Sequence, residues 1–167
     1  RRGQNIKGFE DQFKKYLGVK YAFSFNSGRS AFFAILKALG LPKGSNVALQ
    51  AFTCNAVPNT ILWADLTPIY IDCANDFNIN LQALKNKLLT THYSLPTILV
   101  VQHTFGLPAN MDEIMKLAKE HNLLVIEDCA HALGARYSNQ LVGTFGKAAF
   151  FSFSRDKVIS SVYGGMA

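Results

Sequence analysis

Apolar residues recur along the chain with two alternating periods. From Gly8 to Leu17, Phe9, Phe13, Tyr16 and Leu17 fall at helical spacing and predict a helix. Tyr21–Phe25 reads as a strand, Asn26–Ser30 as a turn, and Ala31–Leu39 as a helix closed by Gly40. Further strands are predicted at Asn46–Gln50, Pro68–Asp72, Thr97–Gln102, Leu123–Ile126 and Ala148–Phe153. Between them the pattern predicts helices at Asn55–Trp63, with Pro58 tolerated in the first turn, at Leu81–Leu88, and at Met111–His121 with Asn110 as cap.

The strands are short apolar runs with little polar alternation, as strands covered on both faces are, and they take turns with helices. That order predicts right-handed βαβ crossovers and an α/β fold: three layers, α/β/α, around a mostly parallel sheet. In such sheets ligands collect beyond the carboxyl ends of the strands, so the segments just after each strand are the places to look for chemistry.

Composition narrows the class. The chain has 167 residues, 49% hydrophobic and 17% charged, which predicts one well-buried domain over residues 1–167 and excludes a disordered chain. No run of roughly 18 apolar residues predicts a membrane span. The start, Arg1-Arg2-Gly3-Gln4-Asn5, has no apolar signal core, and no Met opens it. The end, Tyr163-Gly164-Gly165-Met166-Ala167, is apolar, so the chain reads as cut at both ends. Cys54, Cys73 and Cys129 are odd in number and form no C-x-x-C pair, which predicts reduced thiols in a cytoplasmic protein and no metal site. The net charge is +6, but the lysines are scattered over helical faces with no reader motif, so nucleic acid is not expected as a partner.

Three segments carry candidate chemistry. Asn26-Ser27-Gly28-Arg29-Ser30 stands between a strand and a helix. Gly28 permits close backbone approach, and the N–H groups and hydroxyls at a helix start can bind phosphate. The same residues also suit a plain turn with serine caps, and the Gly-Lys-Ser/Thr ending of a P-loop is missing. Asp128 ends a strand, where a buried carboxylate needs a cation or donors; it also suits a cap for a helix over Cys129–Leu133. His131 follows three residues on. Lys157 lies beyond the strand Ala148–Phe153, either as a surface lysine or as a nucleophile that forms an imine with a carbonyl. A phosphate cradle, an acid and a lysine, each after a different strand, are together what pyridoxal phosphate needs.

These segments resemble the DegT/StrS-type sugar aminotransferases, pyridoxal-phosphate enzymes of the aspartate-aminotransferase fold (fold type I). Asn26-Ser27-Gly28-Arg29-Ser30-Ala31 stands where the family has a Ser-Ser-Gly-Thr-Ala-Ala turn. His103-Thr104-Phe105-Gly106-Leu107-Pro108-Ala109-Asn110-Met111 is similar to its Gly-x-Pro-Ala-Asp-Met segment. Glu127-Asp128-Cys129-Ala130-His131 is similar to its Glu-Asp-Ala-Ala-Gln/His motif. Phe151-Ser152-Phe153-Ser154-Arg155-Asp156-Lys157 is similar to its Phe-Ser-Phe-x-x-x-Lys motif.

The resemblance implies pyridoxal 5'-phosphate as cofactor, glutamate as amino donor, a nucleotide-linked keto-sugar as acceptor, and a homodimer. It implies Lys157 as the imine-forming lysine and proton shuttle, Asp128 on the pyridine nitrogen, and His131 near the ring oxygen. Gly28, Arg29 and Ser152 fall at the phosphate. Where members place an aromatic residue over the ring, this chain has Phe52-Thr53-Cys54, so either Cys54 or Phe52 takes that contact. Members are commonly more than twice as long, so the chain is expected to be the cofactor-binding large domain without the C-terminal small domain. Two other readings stay open: a degenerate paralogue with a binding role, and a dehydratase using the same cofactor. Relatives that are dehydratases lose the lysine, and Lys157 favours transamination.

Overall fold

The computed structural model describes residues 3–90 and 97–167; Arg1 and Arg2, the head of the basic start, lie outside the described residues. The chain order is α1 (Gln4–Leu17), β1 (Ser24–Phe25), α2 (Gly28–Ala38), β2 (Asn46–Gln50), α3 (Ala56–Trp63), β3 (Thr67–Ile71), α4 (Leu81–Thr90), β4 (Ile98–Gln102), α5 (Met111–Glu120), β5 (Leu124–Asp128), β6 (Arg136–Tyr137), β7 (Gln140–Leu141), β8 (Ala148–Ser152) and β9 (Gly165–Met166). Among the described residues the main sheet has seven strands in the order β1-β9-β8-β5-β4-β2-β3. The pairs β2–β3, β2–β4, β4–β5 and β5–β8 are parallel, and β9 runs antiparallel to both neighbours. The mostly parallel α/β prediction is therefore correct.

Strand alternation divides the core. Val47, Leu49, Ile98, Val100, Ile126 and Phe150 face α2 and α3, where they meet Phe32, Ile35, Val57 and Ile61. Ala48, Leu99, Val101 and Val125 face the other way, against Leu84 of α4 and Ile114 and Leu117 of α5. Both sides of the central strands are thus dry, which is why they read as apolar runs. A third cluster sets Phe13 and Leu17 of α1 on Phe151, Phe153 and Met166, with Phe13 and Phe151 edge to face at 5.0 Å.

Several elements differ from the prediction in their bounds. The helix predicted from Gly8 begins at Gln4; it still ends at Gly18 in a left-handed C-cap. Its buried Glu10 accepts bonds from the Ser24 N–H and hydroxyl, both 2.8 Å, and so anchors the first strand. Of the strand predicted at Tyr21–Phe25, Ser24–Phe25 forms β1, and Phe23 exchanges both backbone hydrogen bonds with Ala167. The helix predicted from Ala31 starts at Gly28, because Ser27 is its cap and its Oγ accepts the Ser30 N–H at 3.1 Å. The strand predicted from Leu123 and ending at Glu127-Asp128 begins at Leu124, and both acids are paired with β4 and β8. No helix forms over Cys129–Leu133, so Asp128 is a strand residue and not a helix cap. β9 was not predicted: a two-residue strand is defined by its partners. Its Gly165 lies so close to Ser27 and Gly28 that a Cβ would fall on their backbone atoms, so the residue there has to be glycine.

Candidate active site

The carboxyl ends of β2, β4, β5 and β8 and the start of α2 surround one cavity of about 970 Å³. Gly28, Arg29, Cys54, Asp128, His131, Ser152 and Lys157, all the residues singled out from the sequence, line it together. The parallel order produces this meeting, since β2, β3, β4, β5 and β8 of the main sheet point their carboxyl ends the same way.

On one wall, α2 presents its N-terminus. The first N–H groups of a helix have no intrahelical partners and carry the positive end of its dipole. Gly28 brings this terminus against β8: a Cβ there would stand 3.0 Å from Ser152 Cβ and 3.2 Å from the Phe151 carbonyl. The close approach predicted for Gly28 is made to the protein's own strand, beside the Ser152 hydroxyl.

On the floor, Asp128 is 4% exposed and its Oδ1 accepts the Ala130 N–H at 3.0 Å. Burial pushes its carboxyl up to about 6, against the opposing pull of the Ala130 hydrogen bond and of His103 and Lys157. The folded value lies above the unfolded one of roughly 3.9. The group's contribution to stability is therefore complete below about pH 4 and is lost as pH rises through about 6. Above that, the ionised buried carboxylate costs on the order of 3 kcal/mol. Asp128→Asn in the cofactor-free protein is thus expected to raise the urea midpoint at pH 8 and leave it unchanged at pH 4. Equal midpoints at pH 8 would show that the carboxylate is not strained.

Lys157 enters from a loop after β8 that the Ser161 N–H closes onto the Phe153 carbonyl at 2.9 Å. Its Nζ lies 2.7 Å from His131 Nε2 and 3.2 Å from Asp156 Oδ2. The Ser154 hydroxyl and Lys157 hold the exposed Asp156 carboxyl down to about 2. Burial first, and the Lys157 charge second, lower the pKa of His131. An ammonium can only donate, so the Nε2 of a neutral His131 accepts. Lys157 is thus part-buried with its amine turned to the cavity rather than a free surface lysine.

Cys54 and Phe52 both line the cavity. Cys54 is an exposed thiol, while the Phe52 ring packs on Phe77 at 5.2 Å and on Phe105 at 6.0 Å.

Glu127 is not among the residues that the sequence pattern singles out. It is fully buried on the face of β5 opposite Asp128. Its oxygens accept the N–H groups of Gly143 (2.7 Å), Phe145 (2.7 Å) and Gly146 (2.8 Å), and the Nε2–H of His103 (3.1 Å). His103 Nδ1 in turn accepts the Ala109 N–H at 3.2 Å. His103, Glu127 and Cys129 together offer a metal-like donor set, which the cysteine spacing did not foretell. The Glu127 and His103 atoms are already engaged in these bonds, which tie two loops, 143–146 and 103–109, to the sheet. The available signal was two adjacent acids at the end of a strand buried on both faces, where each needs its own set of donors.

The profile of the DegT/DnrJ/EryC1/StrS aminotransferase family matches residues 1–167. GDP-perosamine synthase of Escherichia coli O157:H7 is 35% identical over 166 residues, which cover 99% of this chain and 44% of that relative. Among solved structures, Helicobacter pylori PseC, an aminotransferase involved in the biosynthesis of pseudoaminic acid, superposes with a TM-score of 0.91 at 29% identity. That match covers 99% of this chain and 44% of PseC. The E. coli GDP-4-keto-6-deoxy-D-mannose-3-dehydratase with bound hydrated PLP superposes at 0.90 with 27% identity, covering 99% of this chain and 43% of the dehydratase. The chain thus spans less than half the length of the relatives it matches. Among the described residues, no helix is long and apolar enough to cross a membrane.

Proposed function

Since the chain belongs to the DegT/DnrJ/EryC1/StrS aminotransferase family, we propose that it is the cofactor-binding part of a pyridoxal-phosphate aminotransferase. In this reading glutamate gives an amino group to a nucleotide-linked keto-sugar, and the full-length protein works as a homodimer. One observation carries the reading: Asp128, Lys157 and the N-terminus of α2 line a single cavity from three different elements.

The residues present fit the cofactor. Asp128 is a buried carboxylate whose pKa burial raises, and a protonated pyridine nitrogen beside it would favour its ionised form. The cradle of Gly28, Arg29 and Ser152 offers N–H and hydroxyl groups to a phosphate. Cys54, Phe52 and His131 line the space between. When bound, pyridoxal phosphate supplies an aldehyde that condenses with amines and a ring that takes up electron density.

The protein's share is positioning and proton handling. Asp128 would keep a proton on the ring nitrogen, and a cation beside it would draw its own pKa down, so cofactor and ionised carboxylate would favour one another. Lys157 would offer the amine to the cofactor's aldehyde, with release of water, and its freed amine would then carry a proton to and from the substrate carbon. His131 accepts from Lys157 through Nε2 and orients it. A lysine at this position supports transamination over dehydration.

The test uses the full-length protein with glutamate and a nucleotide-linked keto-sugar. Expected is one 2-oxoglutarate formed for each amino-sugar nucleotide. A deoxygenated sugar made without stoichiometric loss of glutamate would make it a dehydratase. Neither product nor saturable cofactor binding would leave only a binding role.

A further inference from the structure

Phe105 occupies a position that neither packing nor local preference explains. It follows β4 in a single turn, Thr104–Gly106, with φ 54° and ψ 25°. That left-handed conformation is unfavourable for a bulky side chain, and such strain persists only where the surroundings impose it. The ring is 64% exposed, so burial does not repay the strain.

Three sets of contacts hold the turn. The Thr104 N–H donates to Asn78 Oδ1 at 3.0 Å. The Thr104 hydroxyl donates to the Phe77 carbonyl and accepts from Gln50 Nε2 and Gln102 Nε2, each at 3.0 Å, which uses its full capacity. The Phe105 ring is flanked edge-on by Phe52 at 6.0 Å and Phe77 at 6.3 Å. What the turn delivers is a parallel stack of Phe105 on the His131 imidazole, 6.0 Å between centroids and 11° between planes. Gly106, at φ +84°, lies against the His131 backbone; a Cβ there would stand 3.3 Å from the His131 carbonyl. At its edge the imidazole meets Lys157, Nε2 to Nζ at 2.7 Å.

We infer that Phe105 is a positioning residue: its ring fixes the imidazole plane of His131 so that Nε2 stays the acceptor for the Lys157 amine. The strain in the turn maintains this contact. Without the ring, His131 turns about its side chain, Nε2 leaves Lys157, and the imidazole no longer has a single tautomer. The charged groups facing it are Lys157 and Asp156. The inference rests on the proposed role of Lys157 for its importance, and on the stack alone for its truth.

The experiment reads imidazole ¹⁵N shifts of His131 in the full-length protein without cofactor, at a pH where the ring is neutral. The wild type is expected to show one tautomer, protonated on Nδ1. Phe105→Asn tolerates the left-handed backbone, so it folds while lacking the ring; it is expected to show mixed tautomers. Phe105→Tyr restores the single form. Phe77→Ala, which loosens the cluster and keeps the stack, retains it too. An unchanged tautomer in Phe105→Asn, or equal mixing in Phe77→Ala, overturns the inference. Because no cofactor is present, either result is independent of whether Lys157 binds one.

Discussion

Lys157→Ala in the full-length protein is expected to abolish the absorption band that appears near the visible edge when pyridoxal phosphate is added. Amino transfer should fall with it, by on the order of 10⁴-fold, because both the covalent handle and the proton carrier are removed together. The geometry singles out this lysine. It is part-buried in the cavity, two hydrogen-bonding neighbours hold its amine, and the loop that carries it is closed on β8. Absorbance titration of wild type and variant checks the expectation. Identical spectra would remove Lys157 from the site, and a band kept with activity lost would mean that another amine holds the aldehyde.

Glu127→Ala is expected to cost about 3–5 kcal/mol of folding stability, a large share of the whole for a domain of this size. The residue touches no part of the cavity, so the effect comes from the donors left behind. Three backbone N–H groups and His103 all point at the vacated carboxylate from a place water does not reach. Glu127→Gln keeps one acceptor oxygen but turns an amide N–H₂ toward donors, so it should recover only part of the loss. Urea midpoints compared at constant m-value check both. A midpoint for the alanine variant within about 1 kcal/mol of wild type would mean that the loop 143–146 stands without its anchor. Cofactor affinity should fall as well, since the same strand ends in Asp128.

The two predictions rest on neighbouring residues of β5 and on opposite kinds of information. Asp128 was legible: an acid at the end of an apolar strand, with a phosphate-type turn before it and a lysine after it, matches one cofactor's needs. Glu127 was not legible, because its partners are set by how the loop at 143–146 folds back onto Val125. There the Lys147 N–H bonds the Val125 carbonyl, and a Cβ on Gly146 would meet that carbonyl at 2.7 Å. Phe105 was hidden more deeply. Nothing local marks a phenylalanine for the left-handed region. The side chains that hold its turn, Asn78 and Gln50, lie 26 and 54 residues before Thr104.

The larger elements show the same division. Helical and strand periods, the caps at Ser27 and Asn110, and the glycine at 18 are local, so they could be read in order along the chain. So could the three-layer α/β class, because apolar runs separated by amphipathic helices admit few other solutions. β9 could not: it exists because a glycine lets it lie against the start of α2, while β1 lies within the predicted Tyr21–Phe25 strand and is anchored by Glu10 and β9.

The order of residue types along the chain was enough to say which groups are available and at which strand ends they stand. Folding in three dimensions set their distances, their desolvation and their partners. It raised Asp128 to about 6, brought Lys157 within 2.7 Å of His131, and stacked Phe105 behind that pair. The reason is that burial and hydrogen bonding are properties of neighbours in space, and in a parallel sheet the neighbours at a site come from strands far apart in the chain.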